Sequence, residues 1–266
     1  MESIDPYDRY RQVIDTLYAK ASSVSWARQF EAAPTELCTP RDLATSILEA
    51  MPAVAWTHAY KDVESNWAWR PKHLPASIET GEVALERRII EHALGAGLAN
   101  WTFQMPTMSG LTGPHSHKRR SIDLVHQCGD GRFELIELKW TSDDPAHAAF
   151  EVLFYGMAYL RAREQMKLPV DDLHRIMNAR RIDLVVLAPR PWYSFKMRHT
   201  DLTVSYALGR LNHVLNETLA IIRDNLGLAG LDALTFGFKI FDDEADLLAA
   251  VAAGRDAGRA YARGSE

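Results

Sequence analysis

The spacing of hydrophobic residues predicts helices at the start of the chain. Over residues 5–33, apolar and aromatic side chains recur every three to four positions, as on one face of an amphipathic helix. A second helix is predicted over 40–51, with Thr39 as its N-cap and Pro40 in its first turn. The following stretch, 52–80, is rich in proline and tryptophan, which predicts an irregular connection rather than a flexible linker.

After this connection the pattern predicts alternating helices and strands. The predicted helices cover 81–95, 144–165, 201–226 and a segment that begins at 243. The predicted strands cover 100–105, 121–128, 132–140, 182–188 and 233–241. This order is typical of an α/β fold with a central mixed β-sheet flanked by helices. We therefore predict one domain over 79–266, preceded by an N-terminal helical accessory region over 1–78.

Composition and charge narrow the class of protein. The chain has 266 residues, of which 47% are hydrophobic and 24% charged, so general disorder is excluded. The net charge of −5 argues against a basic surface that binds nucleic acid nonspecifically, but it is compatible with a local basic patch. The apolar runs are too short for a bilayer and no signal peptide is evident, so we expect a cytoplasmic protein without membrane contact. The cysteines, Cys38 and Cys128, lie far apart without metal-site spacing, and we expect both to be reduced and buried.

The segment 121–140 contains the residues with the clearest chemical potential. Two strand-like runs flank the tripeptide Gly-Asp-Gly at 129–131, which predicts a β-hairpin. We expect Gly131 to supply a left-handed or bulge conformation at the turn. In the second strand, Glu137 and Lys139 are two residues apart, so their side chains share one face of the sheet.

The length of the hairpin loop decides whether a second carboxylate joins this face. A three-residue loop, 129–131, pairs Cys128 with Arg132 and places Asp123 directly opposite Glu137. A two-residue loop would shift the register by one and turn the Asp123 side chain to the other face. We predict the three-residue loop.

Two carboxylates on one face, beside a lysine, indicate a site for a divalent cation. Such carboxylates repel each other unless a cation lies between them, and their hard oxygen ligands suit Mg²⁺ or Mn²⁺. Lys139 would then orient a water molecule or stabilise negative charge on a phosphoryl group. The alternative is that Glu137 and Lys139 form the solvated face of an edge strand, since charged side chains on strands usually face solvent.

These residues and the order of elements around them resemble the PD-(D/E)xK nuclease superfamily. The core of that family is a helix, a three-stranded antiparallel meander, a second helix and a further strand, and the resemblance covers about residues 81–190. It implies that Asp123 is the aspartate of the motif. It also implies that Glu137 and Lys139 are its acidic residue and its lysine.

The resemblance implies further members of the site. A glutamate on the first helix joins the metal ligands in many members, which points to Glu86, with Glu82 one turn earlier as the alternative. The backbone carbonyl of Leu138 is implied as another metal ligand. On the helix after the meander, Glu151 and Tyr155 have the spacing of a glutamine and a tyrosine found in related members, and Tyr155 is expected to contact nucleic acid. The alternative is that Tyr155 belongs to an ordinary buried stripe.

Basic residues precede the strand that carries Asp123. The cluster lies close enough to the predicted site to contact a phosphate backbone, although a solvated loop is the alternative. Its expected nucleic-acid-binding members are Lys118, Arg119 and Arg120. The glycines of 107–117 predict a loop that becomes ordered on a substrate. His115 and His117 lack a third ligand, so we do not expect a zinc site there.

Two other segments carry cations or aromatic residues. Residues 188–199 offer a surface for single strands or bases, but we prefer the interpretation that they form a packed loop. Near the C-terminus, arginines recur every four residues on a predicted helix and would contact nucleic acid or nothing. They are Arg255, Arg259 and Arg263.

The expected function is a nuclease that requires Mg²⁺ or Mn²⁺ and hydrolyses phosphodiester bonds, with DNA as the expected substrate. Asp123 and Glu137 would hold the metal, Glu86 would complete its shell, and Lys139 would position the attacking water. The first alternative is a catalytically degenerate module of the same fold that binds nucleic acid or assembles a complex. The second is a helical interaction scaffold, with the two strand carboxylates on opposite faces of the sheet. The N-terminal helices are the expected contact for a homodimer or a partner protein.

Overall fold

The computed structural model describes residues 39–50, 66–69, 81–107, 121–141, 145–165, 171–197 and 201–261. The helix predicted over 5–33 lies outside the described residues, as do most of the loop predicted over 107–117 and the basic cluster that follows it. The domain boundary predicted near residue 78 stays a prediction.

Six strands form a single mixed sheet in the order β1-β2-β3-β4-β5-β6. The strands are β1 (Trp101–Pro106), β2 (Ser121–Gly129), β3 (Arg132–Leu138), β4 (Arg181–Pro189), β5 (Ala233–Phe241) and β6 (Arg259–Ala260). The first three form an antiparallel meander, β3, β4 and β5 run parallel, and β6 returns antiparallel to β5. This arrangement confirms the predicted α/β fold with a mixed sheet.

Helices cover both faces of the sheet. They are α1 (Pro40–Ala50), α2 (Glu82–Gly95), α3 (Pro145–Gln165), α4 (Arg190–Met197), α5 (Asp201–Leu226) and α6 (Glu244–Ala252), with a 3₁₀ turn at Arg175–Asn178. Apolar residues of α1, α3 and α5 form one hydrophobic cluster with the sheet, and those of α2 and α6 form a second. Neighbouring residues Leu135 and Ile136 belong to different clusters, as expected for a strand buried on both faces. Within the described residues, no helix combines the length and the apolar character needed to cross a membrane.

The predicted capping of α1 is confirmed. The Asp42 backbone N–H donates to Thr39 Oγ1 at 3.1 Å, and the Thr39 N–H donates to Asp42 Oδ2 at 3.2 Å. These reciprocal bonds satisfy backbone donors that the first turn of a helix leaves unpaired. On its apolar face, α1 places Leu43 and Ile47 in the same hydrophobic cluster as α3 and α5.

Two predictions near the end of the chain are wrong. Residues 188–199, predicted as a loop, contain α4, whose Pro191 lies in the first turn, where proline is tolerated. The helix is anchored by Tyr193, which is fully buried and donates its hydroxyl to the sheet carbonyls of Val186 and Lys239 at 3.1 Å each. Arg259 lies in β6 and not on a helix. The sequence did not indicate this strand, because two residues are too few to show a hydrophobic period. Arg255 lies between α6 and β6, and Arg263 lies outside the described residues.

Close packing of α3 on the sheet gives a first testable prediction. A Cβ on Gly156 would lie 2.6 Å from Leu184 Cδ1, and Leu184 is fully buried in β4. We expect Gly156→Ala to lower the free energy of unfolding by about 1–3 kcal/mol in a denaturant titration, because the buried leucine must leave its rotamer. The control is Gly95→Ala at the end of α2, where the described residues leave open space. Equal stability of the two variants would contradict the packing.

Candidate active site

The register of the β2–β3 hairpin places two carboxylates opposite each other. Leu124 pairs with Ile136, so the next pair outward is Asp123 with Glu137, as predicted. The Leu138 backbone N–H also donates to Asp123 Oδ2 at 3.0 Å, which holds the aspartate against the end of β3. The opposite-face arrangement expected of an interaction scaffold is therefore not found for these residues.

The turn itself differs from the prediction. Gly129 pairs with Arg132, so the loop has two residues, Asp130 and Gly131, instead of three. A register shift between Gln127 and Gly129 leaves Cys128 as a β-bulge, which absorbs the extra residue and restores the register of the longer loop. Gly131 has a φ of +67°, the left-handed conformation that was predicted.

Lys139 lies between two carboxylates from different elements. Its Nζ is 2.7 Å from Glu137 Oε1 on β3 and 3.0 Å from Glu151 Oε2 on α3. Glu137 and Lys139 are only 3% and 4% exposed, so this ion pair is shielded from water. His147, one turn before Glu151, has its Nδ1 3.9 Å from the same Glu151 oxygen. Asp123 and Glu151 are half-buried, and the site meets solvent at these two residues.

Glu86 of α2 completes the group of acids. It is 2% exposed and accepts a hydrogen bond at 2.7 Å from Gln104 Nε2. Gln104 in turn accepts a bond from Ser121 Oγ at 2.7 Å, so β1 and β2 together orient the glutamate. Glu82, the alternative, accepts instead from the Trp140 backbone N–H at 2.9 Å. The Asp123 charge acts on Glu86, which joins this glutamate to the group of acids.

Gln104 has a backbone conformation that side chains seldom adopt. Its φ is +48°, and the β1–β2 pairing passes from Phe103 to Met105 around it. A left-handed non-glycine residue costs about 1–2 kcal/mol, and such strain is concentrated at functional sites. The strain directs an amide towards a buried carboxylate.

Burial raises the pKa values of all three acids. Burial and then the Asp123 charge raise the pKa of Glu86 to about 8. Burial raises the pKa of Asp123 to about 6, against the opposing effects of the Leu138 N–H and Lys139. Burial, Asp123 and Glu151 raise the pKa of Glu137 well above its usual range. Because ionisation of these three acids is unfavourable, a cation bound among them would stabilise their ionised forms.

Lys139 stays protonated in this setting. Burial alone would lower the pKa of its ammonium group, but the charges of Glu137 and Glu151 raise it well above the usual value. The group is therefore suited to holding positive charge and donating hydrogen bonds, and not to acting as a general base near neutral pH.

The site has oxygen atoms available for a hard cation. Glu137 Oε2 is buried and has no hydrogen-bond partner among the described residues. Leu138 directs its N–H towards Asp123, and in an extended strand the carbonyl of a residue points to the same side as its N–H. Oxygens of Glu86, Asp123, Glu137 and the Leu138 backbone could thus supply the ligands that Mg²⁺ or Mn²⁺ prefers.

The structure brings together four of the predicted side chains. Glu86, Asp123, Glu137 and Lys139 converge where α2, β2 and β3 meet. Tyr155 is 5% exposed and contacts the Phe154 ring edge-on within the hydrophobic core. A structural role for Tyr155 is thus evident, and its contact with nucleic acid stays a prediction. The basic residues Lys118, Arg119 and Arg120 and the pair His115 and His117 lie outside the described residues.

Sequence reasoning missed several neighbours of the site. Nothing in the sequence indicates a role for Gln104 or Ser121. Gln104 contacts Glu86, and Ser121 contacts Gln104, only because β1 pairs with β2. The sequence indicates Glu151 only by its spacing from Tyr155, and it gives no sign of the contact between Glu151 and Lys139. On the other face, Cys128 is free but half-buried, not buried as expected, and lies beside His126. The spacing of these two residues was the overlooked signal.

Comparisons with known proteins do not extend this description. No family model, no curated protein and no solved structure matches the chain. The resemblance to the PD-(D/E)xK superfamily thus depends on the motif residues and the order of the elements. The basis for a functional assignment is the geometry of the acids around Lys139.

Proposed function

We propose that this protein is a nuclease of the PD-(D/E)xK type that uses Mg²⁺ or Mn²⁺ to hydrolyse phosphodiester bonds in DNA. The observation that carries the proposal is the convergence of Glu86, Asp123 and Glu137 beside a protonated Lys139. Buried acids with raised pKa values, brought together from separate elements, are concentrated at functional sites. A lysine held among them fits chemistry on a phosphate group.

The acids supply the place for the metal. Asp123 and Glu137 would hold the ion, with Glu86 and the Leu138 carbonyl completing its shell, because the orphaned Glu137 Oε2 and the raised pKa values indicate a deficit of positive charge. A bound divalent ion supplies polarisation of the P–O bond and a more acidic water. The raised pKa values fall when the ion binds, so the ionised carboxylates become stable.

Lys139 acts on the phosphate rather than on the metal. Its ammonium group, held by Glu137 and Glu151, is positioned to donate a hydrogen bond to the attacking water and to stabilise charge on the pentavalent transition state. Since its pKa is raised, the group does not take up the proton of the water. Glu151 is a positioning residue in this scheme, because it fixes the lysine from α3.

The substrate contact in this proposal begins next to the site. The cluster Lys118, Arg119 and Arg120 immediately precedes β2 in the sequence, and Asp123 is the third residue of that strand. Lysine and arginine at such a position bind the phosphate backbone with little dependence on sequence. The proposal also includes a cytoplasmic location and association through the N-terminal helices.

A degenerate module that binds nucleic acid is the second candidate. One observation favours it: Lys139 already neutralises Glu137 at 2.7 Å and Glu151 at 3.0 Å without a metal. A module of this kind would keep the ion pairs and lose affinity for divalent cations. Metal binding therefore discriminates between the two candidates.

The test combines cleavage with metal binding. The purified full chain is incubated with linear, circular and single-stranded DNA in Mg²⁺, in Mn²⁺ and in EDTA, and a calorimetric Mn²⁺ titration is run on the same sample. We expect cleavage that requires the metal, together with Mn²⁺ binding. A folded protein that neither cleaves nor binds Mn²⁺ would overturn the proposal and favour the degenerate module.

A further inference from the structure

A second cluster of metal-ligating side chains lies on the other face of the sheet. Glu134 and Glu137 are three residues apart on β3, so their side chains point to opposite faces. Glu134 is paired with His126 across the hairpin, and the β-bulge at Cys128 follows two residues later. Asp256, from the segment between α6 and β6, approaches the same place.

The distances within this cluster are those of a coordination site. His126 Nδ1 is 3.4 Å from Cys128 Sγ and 3.6 Å from Glu134 Oε2. One ligand atom from each of His126, Cys128 and Asp256 lies within 4.8 Å of the other two. In a tetrahedral zinc site with bonds of about 2.0 Å to nitrogen or oxygen and about 2.3 Å to sulfur, neighbouring ligand atoms are about 3.3–3.7 Å apart.

A buried carboxylate oxygen in the cluster has His126 Nδ1 as its neighbour, at 3.6 Å. Glu134 is 1% exposed, and Lys239 Nζ binds its Oε1 at 2.7 Å. The other oxygen, Oε2, faces His126 and makes no hydrogen bond to any residue that the structure describes.

We infer that His126, Cys128 and Asp256 form a zinc site, with Glu134 beside His126. One nitrogen, one sulfur and one carboxylate oxygen are a borderline-soft ligand set that suits Zn²⁺ and not Mg²⁺ or Ca²⁺. The site is separate from the proposed nuclease centre and does not depend on it. Its structural effect is to tie the segment that leads into β6 to the β2–β3 hairpin.

Charge supports a dication at this position. A thiolate and two carboxylates carry three negative charges, and the cations described around them are Lys239 and Arg132, which is 3.9 Å from Glu134 Oε1 and also paired with Asp183. Zn²⁺ would offset the negative charge that remains. Lys239 keeps its bond to Glu134 Oε1 in this arrangement and is 3.6 Å from Asp256 Oδ2. A neighbour that binds the second oxygen of a ligating carboxylate is a usual feature of metal sites.

The neighbours of His126 hold its ring in place. Trp101 stacks on the imidazole, with ring centroids 4.0 Å apart and an interplanar angle of 8°. Asn100 Nδ2 is 3.2 Å from His126 Nε2 and donates to the Gln127 carbonyl at 3.4 Å, so the amide holds the ring from the side opposite Nδ1. The Asp256 side chain is 54% exposed, which gives the ion a path from solvent.

Cobalt spectroscopy tests the site directly. The reduced, EDTA-treated full chain is titrated with Co²⁺, and the absorption band from thiolate-to-cobalt charge transfer is followed. We expect one Co²⁺ per chain with this band, its loss on addition of Zn²⁺, and quenching of the fluorescence of Trp101. A folded wild-type chain that gives no charge-transfer band would overturn the inference.

Matched variants locate the ion. Cys128→Ser should remove the band, whereas Cys38→Ser should retain it. Asp256→Asn, at an exposed position that tolerates substitution, should weaken Co²⁺ binding at least about tenfold. Asp123→Asn, in the proposed nuclease centre, should leave the band unchanged. A band that survives Cys128→Ser, or that disappears in Cys38→Ser, would contradict the assignment.

Discussion

Asp123→Asn is expected to lower the rate of metal-dependent DNA cleavage by at least about 10²- to 10³-fold. Asparagine keeps an oxygen that accepts from the Leu138 N–H, so the hairpin should stay intact. It removes the negative charge that the proposed metal requires. Because the aspartate is held in an environment that raises its pKa, the neutral amide should not lower the stability of the metal-free protein.

The control for this variant lies in the same hairpin. Asp130→Asn makes the same chemical change at the exposed turn, where the side chain is remote from Glu137 in the register, and it should cleave at the wild-type rate. Rates are measured under single-turnover conditions in Mg²⁺, with circular dichroism to verify the fold. Equal rates for Asp123→Asn and the wild type would remove Asp123 from the mechanism.

The second large effect is a loss of stability with rising pH. The pKa of Glu86 is 4.5 in its ordinary state and about 8 in the folded protein, so the folded state holds a proton that the unfolded state releases. The contribution of Glu86 to the free energy of unfolding should therefore be fully present below about pH 4.5 and be lost as the pH rises to about 8. At 1.36 kcal/mol per pH unit, a shift of this size corresponds to as much as about 4–5 kcal/mol.

Glu86→Gln isolates this contribution. Glutamine resembles the protonated acid, so the variant should lose less stability than the wild type between pH 5 and 8, with Asp123 and Glu137 causing the loss that remains, and should be more stable than the wild type at pH 8 in EDTA. Glu91→Gln, at an exposed position of the same helix, should retain the wild-type pH dependence. Urea titrations at several pH values measure the difference. A Glu86→Gln curve parallel to that of the wild type would contradict the buried, protonated glutamate.

Divalent metal should reverse the effect of pH in the wild type. Binding to the ionised acids stabilises the folded state by mass action, so added Mn²⁺ should restore stability at pH 8. Glu86→Gln should gain less from the metal. In the proposed site, the buried acids would lower the stability of the metal-free protein and, in return, bind the ion that the function requires. Such a trade-off between stability and activity is common.

The elements that the sequence predicts well are those with long, regular patterns. The bounds of α5 and β5 agree with the predicted 201–226 and 233–241, because the period of the apolar residues changes clearly between them. The short elements were missed, since α4 has eight residues and β6 has two. Their formation depends on tertiary contacts, such as the hydroxyl of Tyr193 on the sheet carbonyls.

The candidate site was predictable where strand alternation alone determines it. Glu137 and Lys139 share a face because they are two residues apart. The register that adds Asp123 was predicted from a three-residue loop, and the structure reaches it with a two-residue loop and a β-bulge. The β-bulge was not predictable in detail, because either loop length is compatible with the tripeptide at 129–131. Its position at Cys128 became evident only from the paired strands.

Other parts of the site depend on backbone geometry that the sequence does not display. Gln104 orients Glu86 through a left-handed backbone conformation that nothing in its residue type indicates. Glu151 reaches Lys139 because α3 crosses the sheet at a particular angle. Such contacts join residues far apart in sequence, and local patterns carry no information about them.

The most direct test of the proposed nuclease is the cleavage of DNA by the wild type and by Lys139→Ala in Mn²⁺, with DNA binding measured on the same samples. The proposed mechanism predicts metal-dependent cleavage by the wild type. It predicts that Lys139→Ala binds DNA and loses cleavage, because the variant lacks the ammonium group that orients the water and stabilises the transition state. Wild-type cleavage by Lys139→Ala, or cleavage that persists in EDTA, would contradict the mechanism.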